Sequence, residues 1–156
     1  MQPMRRKDRQ MSEEFAWSVV DKCEYAVLSM IAEGGMPYAV TLTIVREGNN
    51  VYFHSAKEGR KIAALQKNPN VCLNCVGDTK LLPGETSTLF ESAIAFGRAE
   101  EVESEEEMIR ALRLLCQRHD PVSLNMFDKM TAGCMPRVSV WKIVVEEITG
   151  KAKQQL

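Results

Sequence analysis

Residues 25–55 contain the stretch that decides the fold, YAVLSMIAEGGMPYAVTLTIVREGNNVYFHS. Apolar and β-branched residues dominate three runs within it, Tyr25–Ala32, Pro37–Val45 and Val51–Ser55, which predicts three β-strands. Glycine-bearing turns at 33–35 and 47–50 separate the runs, and glycine supplies the backbone conformations that tight hairpins need. Three strands joined in succession by short turns predict an antiparallel sheet.

The flanking sequence adds strands and helices to this sheet. Further strands are predicted at Val71–Val76, Phe90–Ala99 and Arg137–Ile148, the last ending before Gly150. Helices are predicted at Ser12–Lys22, Glu58–Lys67 and Glu103–His119, with a loop at 77–88 and an irregular segment at 120–136. The predicted fold is mainly β with helices, a small barrel or highly curved sheet. It forms one domain over residues 1–156, with an N-terminal arm at 1–11 and a polar tail at 151–156.

The composition is that of an ordinary globular domain. The chain has 156 residues, of which 45% are hydrophobic and 26% charged, so a disordered chain is excluded. Its 20 Lys and Arg nearly balance its 21 Asp and Glu, for a net charge of −1. Without a basic excess we expect no nucleic-acid partner and no membrane partner. A negatively charged ligand would have to bind at a local cluster of cations.

The termini and the cysteines predict a cytoplasmic protein. The first ten residues are basic but lead into no apolar segment of the kind a signal peptide requires, and no apolar run reaches the ~18 residues of a membrane span. The five cysteines are an odd number without framework spacing, which favours free thiols in a reducing compartment.

Several common sites lack their motifs. The sequence contains no GxGxxG, GxxxxGK[ST], HExxH or GxSxG pattern, so dinucleotide, P-loop, zincin and α/β-hydrolase sites are not supported. Cys72 and Cys75 form a CxxC pair, but their odd offset within a strand points them to opposite faces. We therefore predict structural thiols and no metal site.

The strongest local pattern is His54-Ser-Ala-Lys-Glu-Gly-Arg-Lys61, where a strand leads through glycine into a helix. Free backbone N–H groups at a helix start attract anions, and Lys57, Arg60 and Lys61 add positive charge there. Cations in a first helical turn oppose the helix dipole, so a negative group is expected beside them. A solvated basic surface is the alternative that this pattern leaves open.

An ordered set of segments resembles the pyridoxamine 5′-phosphate oxidase-like proteins, and among them most closely the nitroimidazole-resistance branch. The set spans nearly the whole chain: Met4–Arg9, Gly35–Val40, Val51–Ile62, Asn68–Cys72, Phe96–Glu100 and Glu146–Lys151. The resemblance implies an FMN-binding split β-barrel with antiparallel, Greek-key-like order. It also implies a homodimer with two cofactor sites at the subunit interface.

The resemblance assigns cofactor-binding residues in this sequence. The phosphate site maps onto His54, Ser55, Lys57, Arg60 and Lys61. The backbone bordering the flavin ring maps onto Ala39, Val40, Thr41 and Leu42, where Thr41 replaces a proline frequent in relatives and restores an N–H. Ser92 matches a serine that relatives present to the cofactor.

Two aromatic or titratable residues carry further expectations. Trp141 is assigned to the cofactor site by stacking near the flavin across the dimer interface, with packing in the barrel core as its alternative. His54 precedes the phosphate cluster and could contact cofactor or substrate, which makes it the one candidate for a catalytic residue.

The function implied is that of an FMN-dependent oxidoreductase, a flavin reductase or nitroreductase acting on a small oxidised or nitro-aromatic molecule. NADH or NADPH could supply the electrons, and the segments 77–88 and 120–136 would set specificity. The alternative is a split-barrel protein that binds haem, deazaflavin or FMN without turnover.

Overall fold

A computed structural model describes residues 3–154. The strands are β1 (Gln10–Met11), β2 (Ala26–Ile31), β3 (Pro37–Leu42), β4 (Val45–Glu47), β5 (Asn50–Ala56), β6 (Asn70–Leu82), β7 (Ser87–Glu101) and β8 (Val138–Lys153). The α-helices are α1 (Glu13–Lys22), α2 (Arg60–Lys67), α3 (Glu105–His119) and α4 (Phe127–Cys134). Short 3-10 turns lie at 7–9, 33–35, 121–126 and 135–137.

All strands belong to one antiparallel sheet in the order β3-β2-β6-β7-β8-β5-β4, with β1 paired to β8. The two edge strands β3 and β4 are consecutive in the chain, and only Thr43 and Ile44 connect them. Three peptide steps from Leu42 to Val45 span at most about 11 Å, so the sheet has to curl until its edges approach each other. The sheet is therefore a barrel that stays open between its edges, and the predicted split-barrel class is confirmed.

The barrel interior holds the main core. Leu28, Phe53, Leu73 and Ile143 are completely buried there, and α1 and α2 close the interior with Val19, Val20, Ile62 and Leu65. A second, smaller core lies on the other side of β5, where Tyr52 and Val140 pack against Ala111 and Leu115 of α3. Neighbouring residues of β5 thus serve two different cores.

The helix starts follow the sequence signals. Ser12 Oγ accepts a hydrogen bond from the Phe15 N–H at 3.2 Å, and Ser104 Oγ accepts one from the Glu107 N–H at 3.3 Å. Both serines are N-caps, and acidic residues in the first turns of α1 and α3 favour the helix dipoles. The helix predicted from residue 58 begins two residues later, after Gly59.

Three sequence-based boundaries were wrong. The predicted strand Pro37–Val45 breaks at Thr43, because β3 and β4 lie on opposite edges of the sheet and the meander is interrupted there. The predicted loop 77–88 is mostly sheet, since β6 and β7 extend to a tight turn at 83–86. The predicted irregular segment 120–136 is helical, with Phe127 and Thr131 forming the buried face of α4.

The last strand also runs further than predicted. It continues through Gly150 to Lys153, so the first three residues of the expected polar tail belong to β8. Gly150 does not break the strand; a Cβ there would come within 3.2 Å of Ala16 and Phe15, so glycine allows α1 to pack closely against the sheet. In the described part of the chain, no helix is long and apolar enough to cross a membrane.

Candidate functional site

The opening of the barrel lies between β3 and the second half of β5. β5 pairs with β8 along Asn50–Ala56, but β4 covers its other side only at residues 50–52. β3 pairs only with β2. Within residues 3–154, the facing edges of β3 and of residues 53–56 therefore have no strand partner. We call this gap the slot; its backbone N–H and C=O groups are available to a ligand.

Residues 57–61, which carry Lys57, Arg60 and Lys61 and which we call the cationic turn, lie at the end of the slot where β5 leaves the sheet. Gly59 has φ 124° and ψ 173°, a conformation that side chains with a Cβ rarely adopt, and it lets the chain reverse directly into α2. Because glycine has no side chain to cap α2, the first N–H groups of this helix are left for another acceptor. Lys57 and Arg60 are exposed, and the Arg60 guanidinium lies 5.6 Å from the centre of the Tyr38 ring at the start of β3.

Lys61 differs from the other cations because it is half-buried. Its ammonium lies 5.6 Å from the centre of the Phe53 ring, and burial lowers its pKa below that of an ordinary lysine. Among the described residues no carboxylate forms an ion pair with it. A half-buried ammonium without a counter-charge costs free energy, which an anionic ligand would recover.

The predicted ring-bordering residues alternate along β3. Val40 and Leu42 pack against the main core, whereas Ala39 and Thr41 are exposed on the outer face of the sheet. Since β3 is an edge strand, its main chain borders the slot whichever way these side chains point. The geometry thus suits contacts made through backbone rather than through side-chain identity.

His54 is separated from the other members of the predicted phosphate cluster. Phe53 faces the main core, so its neighbour His54 points to the opposite side of β5, towards α3 and α4. There it lines a cavity of about 250 Å³ together with His119. Burial lowers the pKa of His54, and the positive charges of Lys61 and His119 lower it further, which favours the neutral imidazole.

Ser92 and Trp141 do not join the turn within one protomer. Ser92 pairs with Lys151 of β8, while Ser55 pairs with Ser139, so about 40 Å of strand separates the two serines at 3.3 Å per residue. Trp141 is only 3% exposed, and its indole N–H donates to Ser139 Oγ at 3.3 Å. The assignment of Trp141 to flavin stacking is therefore corrected to the alternative, a core residue. It lies directly opposite Phe53 and packs behind the ring on which Lys61 rests.

Sequence reasoning missed the aromatic residues that carry the cations. Tyr38 and Phe53 each place a ring beside one basic side chain of α2. Sequence reasoning also missed that both histidines of the chain line one cavity. The position of Phe53 was predictable from the sequence, since side-chain alternation along β5 puts Phe53 and Ser55 on one face. The shared cavity of the histidines depends on how α3 and α4 pack.

Solved structures of similar proteins share this fold. A candidate 5-nitroimidazole antibiotic resistance protein from Bacteroides thetaiotaomicron is 27% identical, with 93% of this chain and 90% of that chain covered and a TM-score of 0.74. A flavocytochrome from Azotobacter vinelandii is 20% identical, covering 98% and 73% of the two chains at a TM-score of 0.78. A FAD- and haem-binding protein from Mycobacterium smegmatis is 17% identical, covering 94% and 74% at a TM-score of 0.81.

The sequence itself identifies the family. No curated protein matches the chain closely enough to count as a relative. The family model described as pyridoxamine 5′-phosphate oxidase, however, matches residues 12–152, from the N-cap of α1 almost to the end of β8. The match includes both edges of the slot and the cationic turn, so this chain belongs to the pyridoxamine 5′-phosphate oxidase family.

Proposed function

We propose that this protein binds FMN in the slot and acts as an FMN-dependent oxidoreductase. The observation that carries the proposal is the half-buried ammonium of Lys61, which has no counter-ion among the described residues and lies beside the Phe53 ring, where β5 leads into α2. A phosphate monoester supplies the missing negative charge. Lys61, Arg60 and the free N–H groups at the start of α2 would hold it.

The rest of the slot suits the flavin ring. The unpaired edge of β3 offers backbone N–H and C=O groups along residues 38–42, which could pair with the donors and acceptors along the edge of a flavin. FMN ends in a single phosphate monoester, which could occupy the cationic turn, whereas riboflavin lacks the phosphate.

The redox chemistry belongs to the cofactor, which when bound accepts a hydride and passes electrons to an acceptor. The chain would anchor the phosphate, orient the ring and control which molecules reach it. A neutral His54 can donate one hydrogen bond and accept another in the cavity on the outer side of β5, next to the slot. Electrons would come from NADH or NADPH. A small oxidised or nitro-aromatic molecule is our proposed acceptor, in keeping with the 27% identical nitroimidazole-resistance candidate.

We further propose a homodimer formed through the outer face of the sheet. Ile94 is 39% exposed and lies in one cross-strand row with Asn74, Val27 and Thr41, so apolar side chains and the outer side of β3 share a surface. Ser92 lies on the same outer face, two residues from Ile94, and a partner protomer could bring its Ser92 to the slot. The five free cysteines suit the cytoplasm as its compartment.

The dimer proposal is tested by substituting Ile94→Glu, which places a charge in the proposed interface. We expect the mass in analytical ultracentrifugation to fall to that of one chain. Val122→Glu is the matched control, since Val122 is 84% exposed in the 3-10 turn after α3. A variant at position 94 that keeps the wild-type mass, or a wild type that is already monomeric, would contradict the proposed interface.

FMN binding is tested by titrating flavin-free protein with FMN and riboflavin and following flavin fluorescence. Two charge-assisted hydrogen bonds to phosphate, each worth about 1.5 to 3 kcal/mol, predict an affinity for FMN at least about 100-fold above that for riboflavin. Anaerobic reduction of the FMN complex with NADH or NADPH, followed by a panel of nitro-aromatic acceptors, then tests turnover. Equal affinity for FMN and riboflavin refutes the phosphate site. Tighter binding of haem or deazaflavin, or no reduction by any donor, favours the alternative of a binding protein without turnover.

A further inference from the structure

A cavity of about 250 Å³ lies between the outer side of β5 and the helices α3 and α4, separate from the cationic turn. Its floor is apolar and buried: Leu115 is 6% exposed, Phe127 5% and Thr131 7%. Its mouth is formed by accessible side chains, including His54, His119 and Met130, of which Met130 is 49% exposed. A molecule can therefore enter from solvent and contact a preformed apolar surface.

The only two histidines of the chain meet at this cavity. His119 Nε2 lies 2.8 Å from the Ile44 carbonyl oxygen, and because a carbonyl can only accept, this nitrogen carries a proton. In the neutral ring the other nitrogen, Nδ1, is then a hydrogen-bond acceptor. The pKa of His54 is lowered by burial and by the charges of Lys61 and His119, so its neutral ring offers one donor and one acceptor.

The size of the cavity limits what it can hold. Drug-sized ligands occupy pockets of about 300 to 1,000 Å³, and a buried cavity of about 150 Å³ accepts benzene. A volume of about 250 Å³ therefore suits a single substituted ring and is small for enclosing a flavin ring system or haem. The one carboxylate at the cavity, Asp120, disfavours an anion, and Ser123 Oγ already donates to it at 2.5 Å.

We propose that this cavity binds a small, neutral, single-ring organic molecule that carries one hydrogen-bonding substituent. The ring packs on Leu115 and Phe127, and the substituent hydrogen-bonds at the histidine side of the cavity. Thr43 and His54 both line the cavity. Thr43 belongs to the connection that ends the slot and His54 to the part of β5 that borders it, so the ring lies next to the open edge of the barrel. The role of the bound molecule as the flavin's substrate rests on the proposed function. Its binding in the cavity does not depend on that function.

The test uses flavin-free protein and phenol as the probe. The Cε1–H resonances of the two histidines are followed by NMR as phenol is added. We expect both resonances to shift and to saturate, with a dissociation constant on the order of 1 mM for a ligand of this size. Benzoate, which has the same ring and a negative charge, should bind at least about tenfold more weakly. Unshifted histidine resonances, or benzoate binding as tightly as phenol, would overturn the proposal.

A matched pair of substitutions locates the site. Met130→Trp fills the mouth and should weaken phenol binding at least about tenfold. Met126→Trp is the control, because Met126 is 53% exposed in the adjoining 3-10 turn and does not line the cavity. If Met130→Trp loses helix content by circular dichroism, Cys134→Leu at the cavity wall replaces it. Equal phenol affinity in the cavity variant and the wild type would overturn the assignment.

The same samples separate this inference from the proposed function. Phenol that binds to a protein without affinity for FMN would refute the proposed function and leave the cavity site in place. FMN that binds while no phenol binds would refute the cavity site alone.

Discussion

Replacing Lys61 by methionine removes one charge while keeping the length and apolar stem of the side chain. The half-buried ammonium is desolvated, has no carboxylate partner among residues 3–154, and rests 5.6 Å from the centre of the Phe53 ring. Its loss should weaken FMN binding strongly and change the folding stability only slightly. Comparing the two measurements distinguishes a binding residue from a structural one.

The expected loss of affinity follows from a single phosphate contact. A hydrogen bond to a charged group contributes about 1.5 to 3 kcal/mol, so Lys61→Met should raise the Kd for FMN by about 10-fold to 150-fold. For the double replacement Arg60→Ala with Lys61→Ala, the expected loss is about 2 to 4 kcal/mol, since the two contacts are not additive.

The flavin-free protein should respond differently. It loses a cation–π contact of about 0.5 to 1 kcal/mol and is relieved of a desolvation cost of similar size. The free energy of unfolding measured with urea should therefore change by less than about 1 kcal/mol.

The assay is fluorescence titration with FMN, run beside urea denaturation of the same flavin-free samples. Lys67→Met is the control, because Lys67 lies at the C-terminal end of the same helix and pairs at 3.8 Å with Glu33. An unchanged Kd in the variant at position 61 would place the phosphate elsewhere. A loss of affinity that only tracks a large loss of stability would make Lys61 a structural residue.

Three further predictions concern backbone packing and pH. Gly97→Ala should destabilise the fold by more than about 3 kcal/mol in urea denaturation, because a Cβ there would lie 2.1 Å from the Val144 carbonyl oxygen. Gly133→Ala should be neutral or stabilising, because a Cβ at Gly133 would meet no atom within 4 Å. Equal changes in stability for the two variants would contradict the reasoning. The pKa of His54 is lowered in the folded protein, so the unfolded chain binds more protons and the free energy of unfolding should fall as the pH drops below about 6.5. His54→Asn should remove this pH dependence. Parallel curves of unfolding free energy against pH for the variant and the wild type would contradict the reasoning. FMN affinity should decline as alkaline pH deprotonates Lys61, at a lower pH than expected for an ordinary lysine. Lys61→Arg should move the decline to higher pH. Identical pH profiles of FMN affinity in the variant and the wild type would exclude Lys61 from the phosphate site.

Local sequence patterns predicted the elements that depend on local chemistry. The helix α1, the hairpin glycines and the direct passage from β5 into α2 are contained in a few neighbouring residues, and each is present in the structure. The cationic turn was predictable for the same reason, since Lys57, Arg60 and Lys61 are close in sequence.

Features that depend on distant partners were not predictable in this way. Strand propensity continues through Thr43, and only the positions of β3 and β4 at opposite edges require the break. Gly150 resembles a strand terminator until α1 is packed against it. His54 and Lys61 lie on opposite sides of β5. Predicting this requires knowing that both sides of β5 are covered, one by the main core and the other by α3.

The two proposed ligand sites have a common origin in the topology. A two-residue connection brings the edges β3 and β4 together, and the short β4 covers β5 only at residues 50–52, so residues 53–56 keep a free edge. An uncovered edge of this kind is a liability for pairing with other chains, as an unpaired half-buried lysine is a liability for stability. One ligand with an anionic end and a hydrogen-bonding flat edge relieves both. The alternation of side chains along the same four residues then points His54 away from that ligand into the cavity under α3 and α4, where a second, smaller molecule can bind next to the first.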